Sequence, residues 1–275
     1  MRTKRHVWLG LLAIVLFAVF FLVPFAFIFF TAAKTQTEAG ELQFSLPTTW
    51  ALLENFGEAL RARDYMLIIA FINSTILTVA SITILVVLAS MVAYVAQRRQ
   101  SRWSGVVSFL VLCGLIIPPA VVPTVWVLQS LGLFKTLPGL IFIEVAFGMA
   151  FCILLFRAFI ASIPRDLDEA AIIDGAGPMR LFFKVIFPLL RSVMVTVIIV
   201  QSVAIFNDFA NPLYFLPGDE NATVQLTVFN FKSQFTTQYN LLFADILLIT
   251  IPPLLLFLFL NKRIVEGMTA GAVKG

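Results

Sequence analysis

The segment EAAIIDGAGPMRLFFKVIFP, Glu169 to Pro188, contrasts with the long apolar runs that dominate the rest of the chain. It carries charges, two glycines, a proline in the middle and another proline at its end. Gly175 and Gly177 suit left-handed or crowded backbone, and Pro178 suits the first turn of a helix. The segment therefore predicts two short helices joined by a tight turn, the first of which ends at Asp174.

The composition around this segment predicts a membrane protein. Of 275 residues, 60% are hydrophobic and 12% are charged, and the mean hydropathy is +1.00. A soluble domain could not cover so much apolar surface. Crossing the hydrocarbon takes about 20 apolar residues, and six runs in the chain meet that length. The predicted spans are residues 7–30, 66–96, 105–131, 137–159, 192–213 and 241–260. The predicted fold class is thus all-α, a polytopic membrane protein with six transmembrane helices.

The basic residues predict the orientation, because loops rich in Lys and Arg resist translocation. With both termini in the cytoplasm, only five of the 19 basic residues lie outside. These five are Lys34, Arg61, Arg63, Lys135 and Lys232. The net charge of +4 follows from this bias and does not indicate nucleic acid binding.

Three regions follow from this topology. Residues 1–65 are predicted to form a retained signal-anchor helix and an outer loop. Residues 66–261 form the transmembrane core, with a cytoplasmic loop at 160–190, and residues 262–275 form a cytoplasmic tail. The outer loops at 34–65 and 214–240 are either solvated connectors or a docking surface for an extracytoplasmic partner.

The string EAAIIDG, followed nine residues later by VIFP, resembles the EAA loop of binding-protein-dependent ABC importer permeases. The pattern of that loop is EAA, three residues, G, nine residues and I-x-L-P. Val185 and Phe187 replace the Ile and the Leu and keep both positions apolar. The strings IIPPAVVP, LGLFKTLPGLI, FNDFANPLYF and GMTAGAVKG are similar to the maltose-type carbohydrate permeases, and the last string resembles their G-type subunit.

The resemblance implies a subunit that moves a di- or oligosaccharide, or a related polyol, across a bacterial inner or plasma membrane. The implied partners are a second homologous permease subunit, two cytoplasmic ATPase subunits and an extracytoplasmic sugar-binding protein. This chain would hold no cofactor, because ATP and Mg are bound by the partner ATPases. The resemblance also implies an extended C-terminal tail that reaches between the ATPases. A frayed C-terminal end is the simpler interpretation. The residues implied to couple this chain to the ATPases are Glu169, Ala170, Ala171, Asp174, Gly175 and Pro188.

The chain itself shows no sequence motif of an enzyme. No GxxxxGK[ST] string forms a phosphate-binding loop, so the energy for transport is expected from another chain. HExxH and GxSxG strings are missing too, and the single histidine is His6 near the terminus. We therefore expect neither catalytic nor metal-binding residues. A competing interpretation of the EAA-like segment is an amphipathic helix that rests on lipid headgroups.

Polar residues within the predicted spans are the candidates for a substrate pathway, because such groups are costly in lipid. The candidates are Asn73, Glu144, Asn207 and Asp208. Carboxylates beside amides suit hydrogen bonding to sugar hydroxyls. Carboxylates within spans would also serve proton transfer, so an ion-gradient-driven secondary transporter is the alternative function.

Two further features of the spans remain open to more than one interpretation. Asn73 and Gln201 would serve equally as hydrogen-bonding groups between helices. Pro118 and Pro119 would either break the third span and free backbone carbonyls at depth, or only kink it.

Overall fold

The computed structural model describes residues 2–99, 104–233 and 236–272, with only the backbone for residues 2–7, 256–257 and 259–272. Within these residues the chain is helical, and the extended pairing is limited to one isolated bridge between Lys232 and Thr237. The all-α prediction is confirmed.

Fourteen α-helices follow one another in the described part of the chain. Three short non-α turns join some of them: π-helical turns at Ala18–Leu22 and Phe182–Ile186 and a 3-10 turn at Val228–Phe231. The α-helices are α1 Arg2–Phe17, α2 Val23–Ala32, α3 Gln36–Gly40, α4 Leu52–Arg98, α5 Ser104–Ile116, α6 Val121–Ser130, α7 Leu137–Ile160, α8 Asp166–Ile173, α9 Pro178–Leu181, α10 Phe187–Leu189, α11 Arg191–Phe206, α12 Ala210–Phe215, α13 Val224–Thr227 and α14 Tyr239–Ala272.

Three helices are long and apolar enough to cross a membrane by themselves, namely Trp8–Ala32, Leu52–Arg98 and Leu137–Ile160. Two bent helix pairs meet the same criterion together, and Tyr239–Leu255 is a shorter apolar helix. Each predicted span thus coincides with apolar helix. The number of crossings, predicted as six, stays a prediction because two of the spans are broken.

The third predicted span is broken at its two prolines. Helices α5 and α6 meet at an angle of 115°, with Ile117 to Ala120 between them outside any helix. Proline lacks a backbone N–H and clashes with the preceding turn, and here the helix ends before Pro118. Of the two interpretations of Pro118 and Pro119, the structure supports the break.

The chain forms two compact units. The first combines Met1–Ala70 with Val224–Ile251, and the second combines Phe71–Thr223 with Pro252–Gly275. In the first unit the Asn55 amide donates to the carbonyl oxygens of Ala32 and Lys34, each at 2.8 Å, and its oxygen accepts from Asn240 Nδ2 at 2.8 Å. These buried bonds tie three segments of that unit together.

The expected outer loop at 34–65 contains helical structure. Helix α4 begins at Leu52 and has a sharp kink at Ala62 to Tyr65, where three successive non-glycine residues have positive φ angles of 48°, 54° and 63°. Phe56 and Ala59 pack into the core of the first unit. The prediction weighed the charges of this segment and overlooked its helical apolar spacing.

The C-terminal tail also differs from the expectation. The backbone of α14 continues past Lys262 as helix to Ala272, so the extended conformation expected after Gly267 is wrong for that part. Met and Ala favour helix, which outweighs the two glycines of the segment. Residues 273–275 of the expected tail lie outside the described residues.

Candidate functional site

The EAA-like segment forms a helical hairpin in the second unit. Helix α8 has three acids in its first turn, where the helix dipole stabilises negative charge. Gly175 ends it with a φ of +76°, and its N–H donates to Ile172 O at 3.0 Å while Ala176 N–H donates to Ala171 O at 2.9 Å. This is the Schellman arrangement of a helix C-terminus. Of the two glycines in this turn, Gly175 is left-handed. Gly177 has an extended backbone with φ −68°, and Pro178 then begins α9.

The two faces of α8 have different surroundings. Glu169, Ala170 and Asp174 are exposed. Ala171 is only 9% exposed and packs into the apolar core of its own unit. It therefore cannot lie against an ATPase wall as expected, since in a helix consecutive residues point about 100° apart and the inward side is already occupied. Pro188, in α10, is exposed.

The inward face of α8 is bound to the end of α4. Tyr94 Oη donates to Asp168 Oδ1 at 2.5 Å, and Arg98 Nη2 lies 3.1 Å from Asp168 Oδ2. The side chains of Arg98 and Asp168 are 11% and 12% exposed. Neither Asp168 nor Tyr94 was predicted as a site residue. Their pairing joins residues 74 positions apart, a contact that no local pattern indicates.

A polar cavity of about 450 Å³ lies between α7 and the α11–α12 region of the second unit. Three of the four predicted pathway residues line it, together with two further amides. The polar lining residues are Glu144, Gln201, Asn207, Asp208 and Asn211.

Hydrogen bonds within this cavity hold its polar groups in place. Asn211 Nδ2 donates to Glu144 Oε1 at 3.1 Å. Asp208 Oδ1 accepts from the backbone N–H groups of Ala210 at 2.9 Å and Asn211 at 3.4 Å, so it caps the start of α12. Asn207 Nδ2 donates to Val203 O at 2.9 Å. Asn211 was missing from the predicted site, although its position three residues after Asp208 was a usable signal.

The far side of the cavity is closely packed. Gln201 Nε2 donates to Cys152 Sγ at 3.3 Å across the α7–α11 interface, as the helix-bridging interpretation of Gln201 predicts. A Cβ atom on Gly148 would lie 2.5 Å from Gln201 Nε2 and 3.1 Å from Leu85 Cδ1. Gly148 is therefore the residue that lets α11 approach α7 here.

Asn73 lies elsewhere. Its Nδ2 atom donates to the backbone oxygen of Ala222 at 3.1 Å, and it does not line the polar cavity. This bond joins α4 to the segment before α13, so the structure favours the bridging interpretation of Asn73 over a place in the pathway.

Comparison with known proteins agrees with this architecture. Residues 85–270 match the family described as binding-protein-dependent transport system inner membrane component. The chain belongs to this family, so it is a multi-pass membrane component of a transport system. It is 32% identical to the melibiose/raffinose/stachyose import permease protein MelC of Bacillus subtilis, over 100% of this chain and 99% of that protein.

Other relatives extend the comparison. The chain is 32% identical to the diacetylchitobiose uptake system permease protein NgcG of Streptomyces coelicolor, over 95% of this chain and 87% of that protein. Its fold matches that of a chain in a crystal structure of a bacterial ABC transporter involved in the import of alginate, with a TM-score of 0.79 at 20% identity. That match covers 95% of this chain and 96% of the other. The fold is that of an ABC importer permease.

Proposed function

We propose that this chain is the permease subunit of an ABC importer that carries a di- or oligosaccharide, or a related polyol, into the cytoplasm. Membership of the family supports the transport role. The names of the relatives support a carbohydrate cargo, because they include melibiose, raffinose, stachyose and diacetylchitobiose. A solved alginate importer of the same fold was captured with its periplasmic protein, which supports a sugar-binding protein as partner.

The polar cavity is the observation that carries this proposal. Its volume of about 450 Å³ falls within the usual range for small-molecule sites, about 300–1,000 Å³. Its lining combines carboxylate acceptors with amides that both donate and accept, which matches the hydrogen-bonding capacity of sugar hydroxyls. Glu144 Oε1 accepts from Asn211 Nδ2 and Asp208 Oδ1 accepts from the Ala210 N–H, so one oxygen of each carboxylate is held by a donor of this chain.

The exposed face of α8 is the proposed contact with the ATPase subunits. Glu169, Ala170 and Asp174 are exposed, and Gly175 offers open space beside them because, among the described residues beyond its chain neighbours, no atom lies within 4 Å of an added Cβ atom. A groove of an ATPase could therefore approach the backbone closely here. ATP and Mg would be bound by these partner subunits, and a second homologous permease would complete the transmembrane part.

The orientation forms part of the proposal. Both termini lie in the cytoplasm, which puts the hairpin of α8 and α9 on the same side as the ATPases. The distribution of Lys and Arg supports this, since the predicted inner segments hold most of them.

Reconstitution tests the proposal. The full chain is co-purified with its ATPase subunits, its sister permease and its binding protein, and placed in proteoliposomes with melibiose, raffinose, stachyose and diacetylchitobiose in turn. We expect uptake of at least one sugar that requires both ATP and the binding protein. Uptake driven by a proton gradient, with neither ATPase nor binding protein present, would instead establish the secondary transporter.

A further inference from the structure

The end of α4 holds both oxygens of one carboxylate on α8. Tyr94 and Arg98 are four residues apart in α4 and so share a helix face. The tyrosine hydroxyl binds Asp168 Oδ1 at 2.5 Å, and the arginine guanidinium lies 3.1 Å from Asp168 Oδ2. A carboxylate bound at both oxygens has little freedom to turn.

The same two residues of α4 also bind the parts of the chain on either side of α8. Arg98 Nη2 donates to Ile163 O at 2.9 Å, in the turn that leads into α8. The Tyr94 ring packs on Phe182, in the π turn that follows α9, with ring centroids 5.6 Å apart. The end of α4 therefore contacts the entrance of the hairpin, its first helix and the π turn that follows its second helix.

Beside these contacts the packing is open. A cavity of about 650 Å³ is lined by α4 on one side and by the hairpin on the other. Its lining includes Val95 from α4, Ile172 from α8 and Met179 from α9. Apolar packing leaves this part of the interface open, and the polar contacts of Asp168 join α8 directly to α4 beside it.

From this geometry we infer that Tyr94, Arg98 and Asp168 form a latch that transmits displacement of α8 to the long helix α4. The inference rests on the proposed function, in which an ATPase moves α8. Asp168 directly precedes Glu169, and adjacent helical residues point about 100° apart. The Glu169 side chain therefore faces the ATPase, while the neighbouring Asp168 side chain binds α4. Tyr94, Arg98 and Asp168 are positioning residues, since none of them lines the polar cavity.

A distance measurement tests the latch without knowledge of the cargo. Spin labels are placed at Val92→Cys on α4 and Leu167→Cys on α8, both exposed positions, in a chain with Cys113→Ala and Cys152→Ala. The labelled chain is assembled with its ATPase and sister subunits in nanodiscs. The distance between the labels is measured without nucleotide and with Mg-ATP and vanadate.

We expect the label distance in the otherwise native chain to be the same in both nucleotide states, because α4 and α8 move together. In Asp168→Asn the distance should shift and its distribution broaden on addition of Mg-ATP and vanadate, while ATPase subunits still co-purify and hydrolyse ATP. Tyr94→Phe, which removes a single hydroxyl group, should give a smaller shift. The control Asp166→Asn changes an exposed acid of the same helix turn and should behave as the native chain.

Exchange of the charges distinguishes a latch from a general need for these residues. Arg98→Asp combined with Asp168→Arg should restore a distance that does not depend on nucleotide. A nucleotide-dependent distance in the native chain, or an invariant one in Asp168→Asn, would overturn the latch. If ATPase subunits fail to co-purify with the native chain, the proposed function itself is wrong, and the latch is excluded together with it.

Discussion

Asn211 and Glu144, 67 positions apart in sequence, are joined by a hydrogen bond of 3.1 Å from Nδ2 to Oε1. The bond links α12 to α7, and both residues line the polar cavity. Glu144 is 7% exposed, and a buried carboxylate is stable only where donors reach it. The cavity therefore depends on the short helix α12, whose start is fixed by Asp208.

Two substitutions of Asp208 should separate its role in the cavity from its role as a cap. Asp208→Ala removes the acceptor for Ala210 N–H, which costs about 1 kcal/mol in typical helix caps, and also removes a carboxylate that we propose to bind sugar. Asp208→Asn keeps a capping oxygen. We expect both variants to assemble, with uptake lowered about tenfold in Asp208→Ala and less in Asp208→Asn. Uptake in proteoliposomes is the measurement, and native rates in both variants would remove Asp208 from the site.

A chain with Gly175→Leu should insert into the membrane but should not couple to the ATPase subunits. The left-handed φ of +76° costs a leucine about 1–2 kcal/mol, and a side chain there would also obstruct a close partner. We expect loss of ATPase co-purification and of ATP-driven uptake in the same membranes. Gly175→Asn is the matched variant, because asparagine tolerates this backbone. A deficit in Gly175→Asn would then indicate obstruction of a partner rather than backbone strain.

A Gly175→Leu chain that retains ATPase binding and uptake at the native level would identify the hairpin as a surface helix only. Gly177→Ala serves as the control for glycine replacement in the same turn. Its φ of −68° suits any residue, and an added Cβ would meet no atom within 4 Å in the part of the chain that the structure describes.

Substitution of Glu169 should lower ATPase binding, whereas substitution of Ala171 should lower thermal stability. Glu169→Lys changes an exposed charge, so thermal stability in detergent should stay native while ATPase binding falls severalfold. Ala171→Leu overfills a buried position, which typically costs about 1–3 kcal/mol, so the melting temperature should fall. Thermal unfolding and ATPase pull-down on both variants decide this. A stability loss confined to Glu169→Lys would contradict the assignment of the two faces.

Gly148→Ala should destabilise the membrane core. The new methyl group would lie 2.5 Å from Gln201 Nε2, so the amide must move and lose its bond to Cys152. Because Gln201 Nε2 is the far end of a flexible side chain, the amide can move aside, and the expected cost is that of its hydrogen bond to Cys152, about 1 kcal/mol. Combining it with Gln201→Ala should recover part of the loss, because the clash disappears. Melting temperatures of the two single variants and the double variant test this, and strict additivity would exclude the clash.

Several parts of the fold could be predicted from the sequence because their causes are local. The apolar runs produced the helices, Pro118 and Pro119 produced the break, and Gly175 produced the left-handed end of α8. The helical part of the outer loop was missed because its charges were weighed more heavily than the spacing of Phe56 and Ala59.

The candidate site was predictable only in part, for a different reason. Glu144, Asn207 and Asp208 were recognisable because polar groups are rare in apolar spans. Which of them meet depends on how helices pack. Asn73 lies apart from the polar cavity because it binds Ala222, 149 positions away, a contact that no local pattern indicates. The same limit concealed the contact of Tyr94 with Asp168.

The apolar helix Trp8–Ala32 has consequences for how this chain can change in evolution. None of its most apolar 18-residue stretch is buried by the rest of the chain. Exchanges among Leu, Ile and Val in that stretch leave no buried cavity in this chain, so selection acts there mainly on length and hydropathy, apart from ring contacts such as that of Phe17 with Phe21. Homologous chains should therefore diverge fastest along this helix, while positions such as Gly148, held between two neighbours, should change only together with them.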